Sequence, residues 1–523
     1  MLYFFGITDS IQRGSSPVYD ADAAAFFARV TAAGGTLTTT EKDSVNTLVL
    51  SLKASNIWTE MGALYPMVGG TAASCAQNLA SSSYTGTFSG GWTFSSAGAA
   101  PNGTNGYMNT SLTPSTYATF ASYGISVYIN QMNTGSVHIG SDQGGSQQQY
   151  LAVGSDGNSY MMLPSFLASG NGVQLGANCK GFMTLVLEST SGTTGKNLYY
   201  NSVNKLRTGN FGFLTTIQSW LGCNTFNGGQ QFSSSRYAMA IWHKGLNSTQ
   251  SINLYNSVQS FQVSLSREVY DNDAQAFFDR VTTAGGTLTT TEKSAVNTLV
   301  LSLKSNNIWD LMGAVYPMVG GTAASCAQNL ISSSYTGTFS GGWTYSSAGV
   351  TPNGTNGYMN TGLTPSTYTT NGNFGIHVYI NQINSGGTHI ASDNGGSSQF
   401  YLRTDLTTKK GYLMMMQFQN VNNDTNLTLG TNMQGFTTVT VESTSGSNGK
   451  NAYFNGVSVL RNGNFGNTPS GVTWLGANTY LGGIQWANSR YALAAWTKGL
   501  VSANAISFYN SVQTFQTTLG RNV

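Results

Sequence analysis

The chain has 523 residues, but its 22 Lys and Arg and 19 Asp and Glu make up only 8% of them, where soluble domains carry about a quarter. A net charge of +3 without a basic cluster argues against a nucleic-acid binder, and no apolar run approaches the ~18–20 residues of a membrane span. With 40% hydrophobic and 12% aromatic residues the chain can bury enough apolar surface to fold, so we expect a large, nearly neutral globular protein.

The chain is a tandem duplication. The segment Val18-Tyr-Asp-Ala-Asp recurs as Val269-Tyr-Asp-Asn-Asp. The offset between the copies is 251 residues as far as His138 and becomes 254 by Glu188, which indicates a longer loop in the second copy. The sequence therefore predicts an N-terminal arm, 1–17, and two units, 18–266 and 267–523.

Each unit is predicted to begin with a pair of helices. Residues 20–33 have a helical pattern that starts at an Asp cap and stops at Gly34-Gly35. Thr38 and Glu41 then have the spacing of a capping box, in which both side chains bond to backbone N–H groups. The helix that follows repeats apolar residues at i, i+3, i+4 and i+7. These residues are Val45, Leu48, Val49 and Leu52.

Between residues 65 and 242 the pattern changes to short β-type runs separated by Gly, Asn and Ser. The strand candidates of the first unit are 125–129, 182–188, 198–200, 219–221 and 236–242. The alternation is clearest at 436–442, where Val439 and Val441 face one side. The opposite side carries Thr438, Thr440 and Glu442, and we expect it to be a solvated outer face.

A closing helix follows the strands of each unit. In the first unit it is predicted to present Ile252, Tyr255, Val258 and Phe261 on one face. Many short strands separated by turns favour an antiparallel sandwich or jelly roll. The predicted fold class is mainly β, with two tandem antiparallel β-sandwich domains, each preceded by a helical pair and closed by a C-terminal helix.

The four cysteines are predicted to be structural. Cys75 and Cys326 occupy the same motif in the two copies. Cys179 and Cys223 occur only in the first copy, where the second has Met433 and Ala477. Replacement by Met and Ala indicates small buried hydrophobic residues and not an obligatory disulfide.

The order of several motifs resembles laminin-G/concanavalin A-like lectin domains, which have a jelly-roll fold. The motifs are Tyr65-Pro-Met-Val-Gly-Gly, Phe88-Ser-Gly-Gly-Trp-Thr, Pro101-Asn-Gly-Thr-Asn-Gly-Tyr, Trp220-Leu-Gly and Arg236-Tyr-Ala-Met-Ala. Together with the preceding helix pair, the pattern is similar to tailed-phage virion structural proteins. The resemblance implies a virion component, either capsid decoration, head fibre or tail-associated. The fold alone does not imply a function.

A hydrolase is disfavoured, although jelly rolls of this kind include glucanases. Glycoside hydrolysis normally uses two carboxylates that flank the scissile bond. Within the sandwiches only Asp142, matched by Asp393, and Glu188, matched by Glu442, recur in both copies. The Glu-x-Asp-x-x-Glu strand of jelly-roll glucanases is absent from the sequence. We therefore expect no enzyme activity.

A metal site is the next hypothesis. His138 and Asp142, matched by His389 and Asp393, are four residues apart and would share one face of a strand. Calcium would need more oxygen ligands than this acid-poor sequence offers, although backbone carbonyls can supply some. The alternative is a hydrogen bond or a hairpin turn at Asp142-Gln-Gly-Gly. The sequence leaves the metal open, with calcium as the possible ion and no other cofactor expected.

Carbohydrate binding needs aromatic faces for sugar rings and amides for hydroxyl groups. Aromatic and amide residues recur beside Gly-rich turns in both copies, and core packing is the alternative role for them. The predicted ligand-binding residues are Trp92, Tyr107, Asn109, His138, Asp142, Trp343, Tyr358, Asn360, His389 and Asp393.

The leading functional hypothesis is a non-enzymatic phage virion protein that presents two lectin-like domains. Its expected partners are other virion proteins and further copies of itself, with no nucleic acid and no membrane. The alternative is a glycan-binding adhesin that attaches to host-surface glycan. Both hypotheses place the protein on a virion or in an extracellular setting.

Overall fold

The computed structural model describes most of the chain. The described residues are 18–119, 122–133, 136–145, 147–153, 158–162, 173–175, 179–188, 195–208, 213–369, 373–384, 386–395, 398–405, 410–415, 425–427, 434–442, 449–462 and 467–523. The predicted N-terminal arm, 1–17, lies outside them.

The contacts divide the chain into two compact units, Met1–Val269 and Tyr270–Val523. The sequence placed this division between residues 266 and 267. Arg267 belongs with the first unit because its guanidinium donates to the carbonyl oxygens of Pro66 and Met67 at 3.1 and 2.8 Å.

Helices frame each unit as predicted. Asp20 caps the first helix, and Thr38 and Glu41 form the predicted capping box of the second. The helices of the first unit are α1 (Ala21–Ala32), α2 (Thr39–Ala54), the short α3 (Ala72–Cys75) and α4 (Pro114–Tyr117), and the closing α5 (Ser248–Ser264). Those of the second unit are α6 (Asn272–Thr283), α7 (Thr290–Ser305), the short α8 (Ala323–Cys326) and α9 (Pro365–Tyr368), and the closing α10 (Ser502–Thr518).

All five strand candidates of the first unit fall on observed strands, and the described residues contain further strands that the sequence did not identify. The strands are β1 (Met61–Tyr65), β2 (Thr87–Ser89), β3 (Trp92–Ser95), β4 (Gly98–Pro101), β5 (Tyr107–Asn109), β6 (Tyr123–Gln131), β7 (Ser136–Asp142), β8 (Gln148–Val153), β9 (Asn158–Met162), β10 (Val173–Gln174), β11 (Gly181–Leu187), β12 (Lys196–Tyr200), β13 (Val203–Thr208), β14 (Trp220–Leu221) and β15 (Arg236–His243). One sheet has eight strands in the order β13-β12-β11-β6-β15-β4-β3, with β1 also pairing with β15. The other has seven, in the order β10-β9-β8-β7-β14-β5-β2.

The second unit repeats this topology. Its strands are β16 (Met312–Tyr316), β17 (Thr338–Ser340), β18 (Trp343–Ser346), β19 (Gly349–Pro352), β20 (Tyr358–Asn360), β21 (Gly375–Ile383), β22 (Gly387–Asp393), β23 (Gln399–Asp405), β24 (Lys410–Met415), β25 (Thr425–Leu427), β26 (Gly435–Val441), β27 (Lys450–Phe454), β28 (Val457–Asn462), β29 (Trp474–Leu475) and β30 (Ser489–Thr497). The eight-stranded sheet runs β18-β19-β30-β21-β26-β27-β28, with β16 on β30, and the seven-stranded sheet runs β17-β20-β29-β22-β23-β24-β25. All the strand pairs are antiparallel.

The two sheets of each unit enclose one apolar core, which makes each unit a β-sandwich. In the first unit Val127 and Trp242 of the eight-stranded sheet pack in the same buried cluster as Ile139 and Leu221 of the seven-stranded sheet. The predicted fold class, two tandem antiparallel sandwiches framed by helices, is confirmed.

The helices cover the second face of the eight-stranded sheet. In the second unit Phe277, Leu299 and Phe508 of the three long helices join one cluster with Tyr379 and Phe436 of that sheet. The expected solvated face at 436–442 is therefore wrong. Thr438 and Thr440 are buried there, because α10 lies over β26 and β27.

The closing helix buries a different stripe from the one predicted. Tyr255, Val258 and Phe261 are buried as expected, but Ile252 is 40% exposed and Leu254 takes the inner position. The predicted residues are three apart, and each step of three residues advances by about 300°, short of a full turn, so the first member of the series rotates away from the sheet.

The four cysteines all lie in the described residues, where they are buried and form no disulfide, as the sequence predicted. Burial raises the pKa of the Cys75, Cys223 and Cys326 thiols to about 12. In the described part of the chain, none of the helices has the length and apolar character needed to cross a bilayer.

Candidate functional site

The outer face of the seven-stranded sheet is the candidate site in each unit, and we call it the open face. Within the described residues the long helices pack on the other sheet. Met108 and Leu221 point into the core, so their strand neighbours Tyr107, Asn109 and Trp220 lie on the open face. These three side chains are half-buried.

The strand register places matching side chains in one row across the open face. In the first unit Asn109 pairs with Thr87 and Trp220, and Gly140 pairs with Trp220 and Tyr150. The second unit has the same row with Ala in place of Gly. Its members are Thr338, Asn360, Trp474, Ala391 and Tyr401.

A stacked aromatic pair stands on each open face. The rings of Tyr107 and Trp220 are 4.2 Å apart and inclined by 16°. In the second unit Tyr358 and Trp474 are 4.0 Å apart and inclined by 22°. Because all four side chains are half-buried, each open face presents part of an aromatic surface beside an Asn amide.

A third ring extends the aromatic pair of the second unit. Trp486 lies 6.0 Å from Tyr358, and Gly483 (φ 117°) has no side chain at the point of contact. A Cβ at Gly483 would lie 2.7 Å from Trp486 and 3.3 Å from Trp474, so glycine permits the two indoles to approach the same turn.

Trp92 and Trp343 do not lie on the open face. They belong to the eight-stranded sheet and are packed against the core clusters. The Trp92 indole donates to the carbonyl of Tyr107 at 3.2 Å and makes an edge contact with Phe88 at 4.8 Å. This is the packing role that the sequence left as the alternative.

Asn109 and Asn360, which belong to the row, also form hydrogen bonds through their side chains. The Asn109 side chain accepts from the backbone N–H of Ser111 and donates to Gln218 at 2.7 Å. Asn360 accepts from Gly362 at 2.9 Å. Their carbonyl oxygens therefore fix the turn after the strand.

His138 and His389 lie in the cores. His138 Nδ1 is 3.1 Å from the hydroxyl of Tyr237 on the opposite sheet, and His389 makes the same contact with Tyr491. Burial lowers the pKa of both imidazoles to about 3. A β-bulge next to His138 interrupts the alternation on which a face shared with Asp142 depended.

Asp142 holds a turn, as the hairpin alternative predicted. One carboxylate oxygen accepts from Gly144 and Gln148 at 2.7 and 3.0 Å, and the other accepts from Asn224 at 2.8 Å. Asp393 makes the matching bonds to Gly395 and Asn478.

The residues around Asp142 and Asp393 do not fit calcium. N–H donors occupy both oxygens of each carboxylate, whereas calcium needs six or more oxygen ligands. Across the described ranges, no three His, Cys, Asp or Glu side chains gather into a metal-binding group.

The acids that recur in both copies belong to different sheets and have different hydrogen-bond partners. Asp142 ends a strand of the seven-stranded sheet, whereas Glu188 follows β11 of the eight-stranded sheet. Glu188 accepts from the Tyr199 hydroxyl at 2.9 Å, and Glu442 accepts from Tyr453 at 2.7 Å. Each carboxylate therefore bonds to its own neighbours on its own sheet.

The sequence prediction missed the centre of the open face. Trp220 was noted only in the Trp220-Leu-Gly motif and the strand candidate 219–221, and Tyr150, Tyr401, Trp474 and Trp486 were not selected. The recurrence of Trp before an inward Leu was the available signal. Its partner Tyr107 is more than a hundred residues away in the sequence, so the pairing depends on the order of the strands.

No family model matches the chain, and no curated protein matches it. Among solved structures it is similar to domain 4 of AbnA, an extracellular GH43 arabinanase of Geobacillus stearothermophilus, in complex with arabinotriose, with 12% identity over 38% of this chain and 98% of that chain and a TM-score of 0.23. It is also similar to a Trypanosoma rangeli sialidase, with 8% identity over 70% of this chain and 61% of that chain and a TM-score of 0.31. Mouse laminin α1 domains LG4-5 match with 8% identity over 72% and 81% and a TM-score of 0.18. The assignment of a β-sandwich rests on the strand order and the core of this chain.

Proposed function

We propose that this protein is a non-catalytic glycan-binding protein whose two open faces each bind a saccharide. The observation that carries the proposal is the half-exposed Tyr–Trp pair beside an Asn amide, which recurs on the same face of both units. Aromatic rings pack against the apolar faces of sugars, and amides bond to hydroxyl groups.

The distribution of acids supports a binding role over hydrolysis. A glycosidase places two carboxyl groups about 5–10 Å apart on either side of the bond that it cleaves. Here the recurring acids Asp142 and Glu188 belong to different sheets, and each accepts hydrogen bonds from its own structural neighbours.

A glycan array probed with the full chain tests the proposal. We expect binding that weakens about ten-fold or more in the double variant Trp220→Ala, Trp474→Ala, because each substitution removes a ring from an open face. Leu50→Ala is the control, since Leu50 is an exposed apolar residue of α2 on the helical side.

Thermal unfolding measurements identify variants that lose binding only because they unfold. No binding by the wild-type chain to any glycan, or undiminished binding by a folded double variant, would contradict the proposal.

A virion role is our second proposal, and the sequence resemblance supports it. In this setting the two sandwiches would lie on a phage particle, in contact with other virion proteins and with further copies of the chain. Mass spectrometry of purified particles tests this role. A copy number close to that of the major capsid protein would indicate decoration, a few copies would indicate a fibre or tail component, and absence from the particles would refute it.

A further inference from the structure

The second unit has a cleft on its open face at a place where the first unit has different residues. The cleft has a volume of about 410 Å³. This is within the range of about 300–1,000 Å³ that is usual for small-ligand sites. Its lining includes Gly386, Gly387, Arg403, Asp405, Gln485 and Trp486.

Strand β23 supplies the charged wall of the cleft. Phe400 and Leu402 point into the core, so Tyr401, Arg403 and Asp405 lie on the open face by alternation. Arg403 and Asp405, two residues apart, thus place one basic and one acidic side chain on this strand.

The opposite wall is the segment around Trp486. Its backbone lies against the start of β22, where Thr388 donates to the carbonyl of Gln485 at 2.7 Å. Gly387 (φ 143°) allows this approach, because a Cβ there would lie 2.5 Å from the carbonyl oxygen of Trp486. The indole of Trp486 thus belongs both to the cleft and to the aromatic group of the open face.

The first unit differs at four of the six lining positions named above. Ala152 stands in place of Arg403, Phe232 in place of Trp486, and Ser136 in place of Gly387. The sequence has Gly154 in place of Asp405, outside the described residues. The cationic side chain and the larger ring are therefore specific to the second unit.

We propose that this cleft binds the carboxylate-bearing residue of an acidic saccharide, an inference that rests on the proposed glycan-binding function. The Arg403 guanidinium presents a planar fork of donors that matches a carboxylate. Trp486 supplies a face for the sugar ring, and Asp405 accepts from sugar hydroxyl groups. The first unit, with Ala152 and Phe232, binds neutral saccharide.

The test compares uronate-containing oligosaccharides with their carboxyl-reduced counterparts, which keep the stereochemistry and lose the charge. The full chain is titrated with each pair. We expect tighter binding of the acidic member and a loss of about 10- to 100-fold for it in Arg403→Ala. Trp486→Phe should weaken binding of both members by about two- to ten-fold.

Both variants carry the residue that the first unit has at the matching position, so both are expected to fold. Lys498→Ala is the charge-matched control, because Lys498 lies on the helical side near the carbonyl of Asp310. It should leave the preference for the acidic member unchanged.

The results distinguish this inference from the function on which it rests. Equal binding of acidic and reduced saccharides, or an acidic preference that survives in Arg403→Ala, overturns the cleft assignment and leaves glycan binding standing. If neither kind of saccharide binds, both proposals fail. A preference that Lys498→Ala also abolishes would reflect net charge, and it would overturn the cleft assignment as well.

Discussion

The open faces of the two units carry different residues at two matching positions. The first unit has Ala152 and Phe232, and the second unit has Arg403 and Trp486. Several contacts on the helical side recur in both units. Lys53 bridges Asp20 and Asp22 at 2.7 and 2.6 Å, and the second copy repeats the arrangement around Lys304. The helical side keeps these contacts in both copies, whereas the open face differs in charge and ring size between the copies.

Both units share a buried arginine that follows the closing helix. Arg267 donates to the carbonyls of Met67, Pro66 and Ala238, and Arg521 makes the equivalent bonds in the second unit. Burial lowers the pKa of both guanidinium groups to about 10, which leaves them charged at neutral pH. Substituting these two arginines tests whether the two units are structurally equivalent.

We expect Arg267→Ala or Arg521→Ala to cost about 3–5 kcal/mol of unfolding free energy, because several buried carbonyls lose their donor. Urea denaturation of the full chain measures the cost, and the exposed Lys244→Ala is the control. The two losses should agree within about 1 kcal/mol. A large loss in only one unit would break the structural equivalence of the copies.

Acid should destabilise both units. Burial lowers the pKa of His138, His377 and His389 to about 3 and that of His243 to about 4. Above the unfolded pKa of about 6.5 neither state binds the proton. Below it the unfolded chain takes up protons that the folded chain refuses, so stability falls with pH until the folded pKa is reached.

This proton uptake lowers the free energy of unfolding by about 2 kcal/mol per histidine at pH 5 relative to pH 7. Two of the four histidines belong to each unit, so the two unfolding transitions should shift together. Urea midpoints measured between pH 7 and pH 4 check this. A flat profile over that range would mean that the imidazoles are accessible to protons in the folded protein.

Removal of a capping box should have a smaller effect. Thr38→Ala and Thr289→Ala each delete a hydroxyl that accepts from a backbone N–H at 3.2 Å. We expect a cost of about 1 kcal/mol in either unit. Thr40→Ala, two residues after the cap and exposed, is the control and should change the free energy of unfolding by less than about 0.5 kcal/mol.

The smallest effect concerns one of the buried positions at which the copies differ. Cys223 of the first unit is replaced by Ala477 in the second, and both residues are buried. Cys223→Ala should lower the free energy of unfolding by about 1 kcal/mol or less, measured by urea denaturation.

The thiols of the native protein should react slowly with Ellman's reagent at pH 8, since burial raises their pKa, and unfolding in urea should expose them all. Fast labelling of the native protein would contradict the burial.

Local patterns predicted most of the fold. The capping box at Thr38, the helix stop at Gly34 and the alternation at 436–442 are each determined by residues close in sequence. The covered face of the eight-stranded sheet could not be predicted in this way, because Thr438 is buried by a helix some sixty residues later.

The candidate site was predicted less well, for a related reason. The bulge at His138 reverses the alternation beyond it, and no residue type in that strand marks it. Trp220 lies in a strand of two residues, too short to show which side faces out. Its stacking with Tyr107 is decided by the strand order, which brings β5 and β14 together.

Hydrogen–deuterium exchange of the full chain, with and without a saturating saccharide selected by the glycan array, tests the central claim most directly. The open faces should bind the saccharide, so protection is predicted in peptides that cover 107–109, 220–221, 358–360 and 474–475. The closing helices Ser248–Ser264 and Ser502–Thr518 should exchange as in the free protein. Protection confined to those helices, with no change on the open faces, would contradict the account.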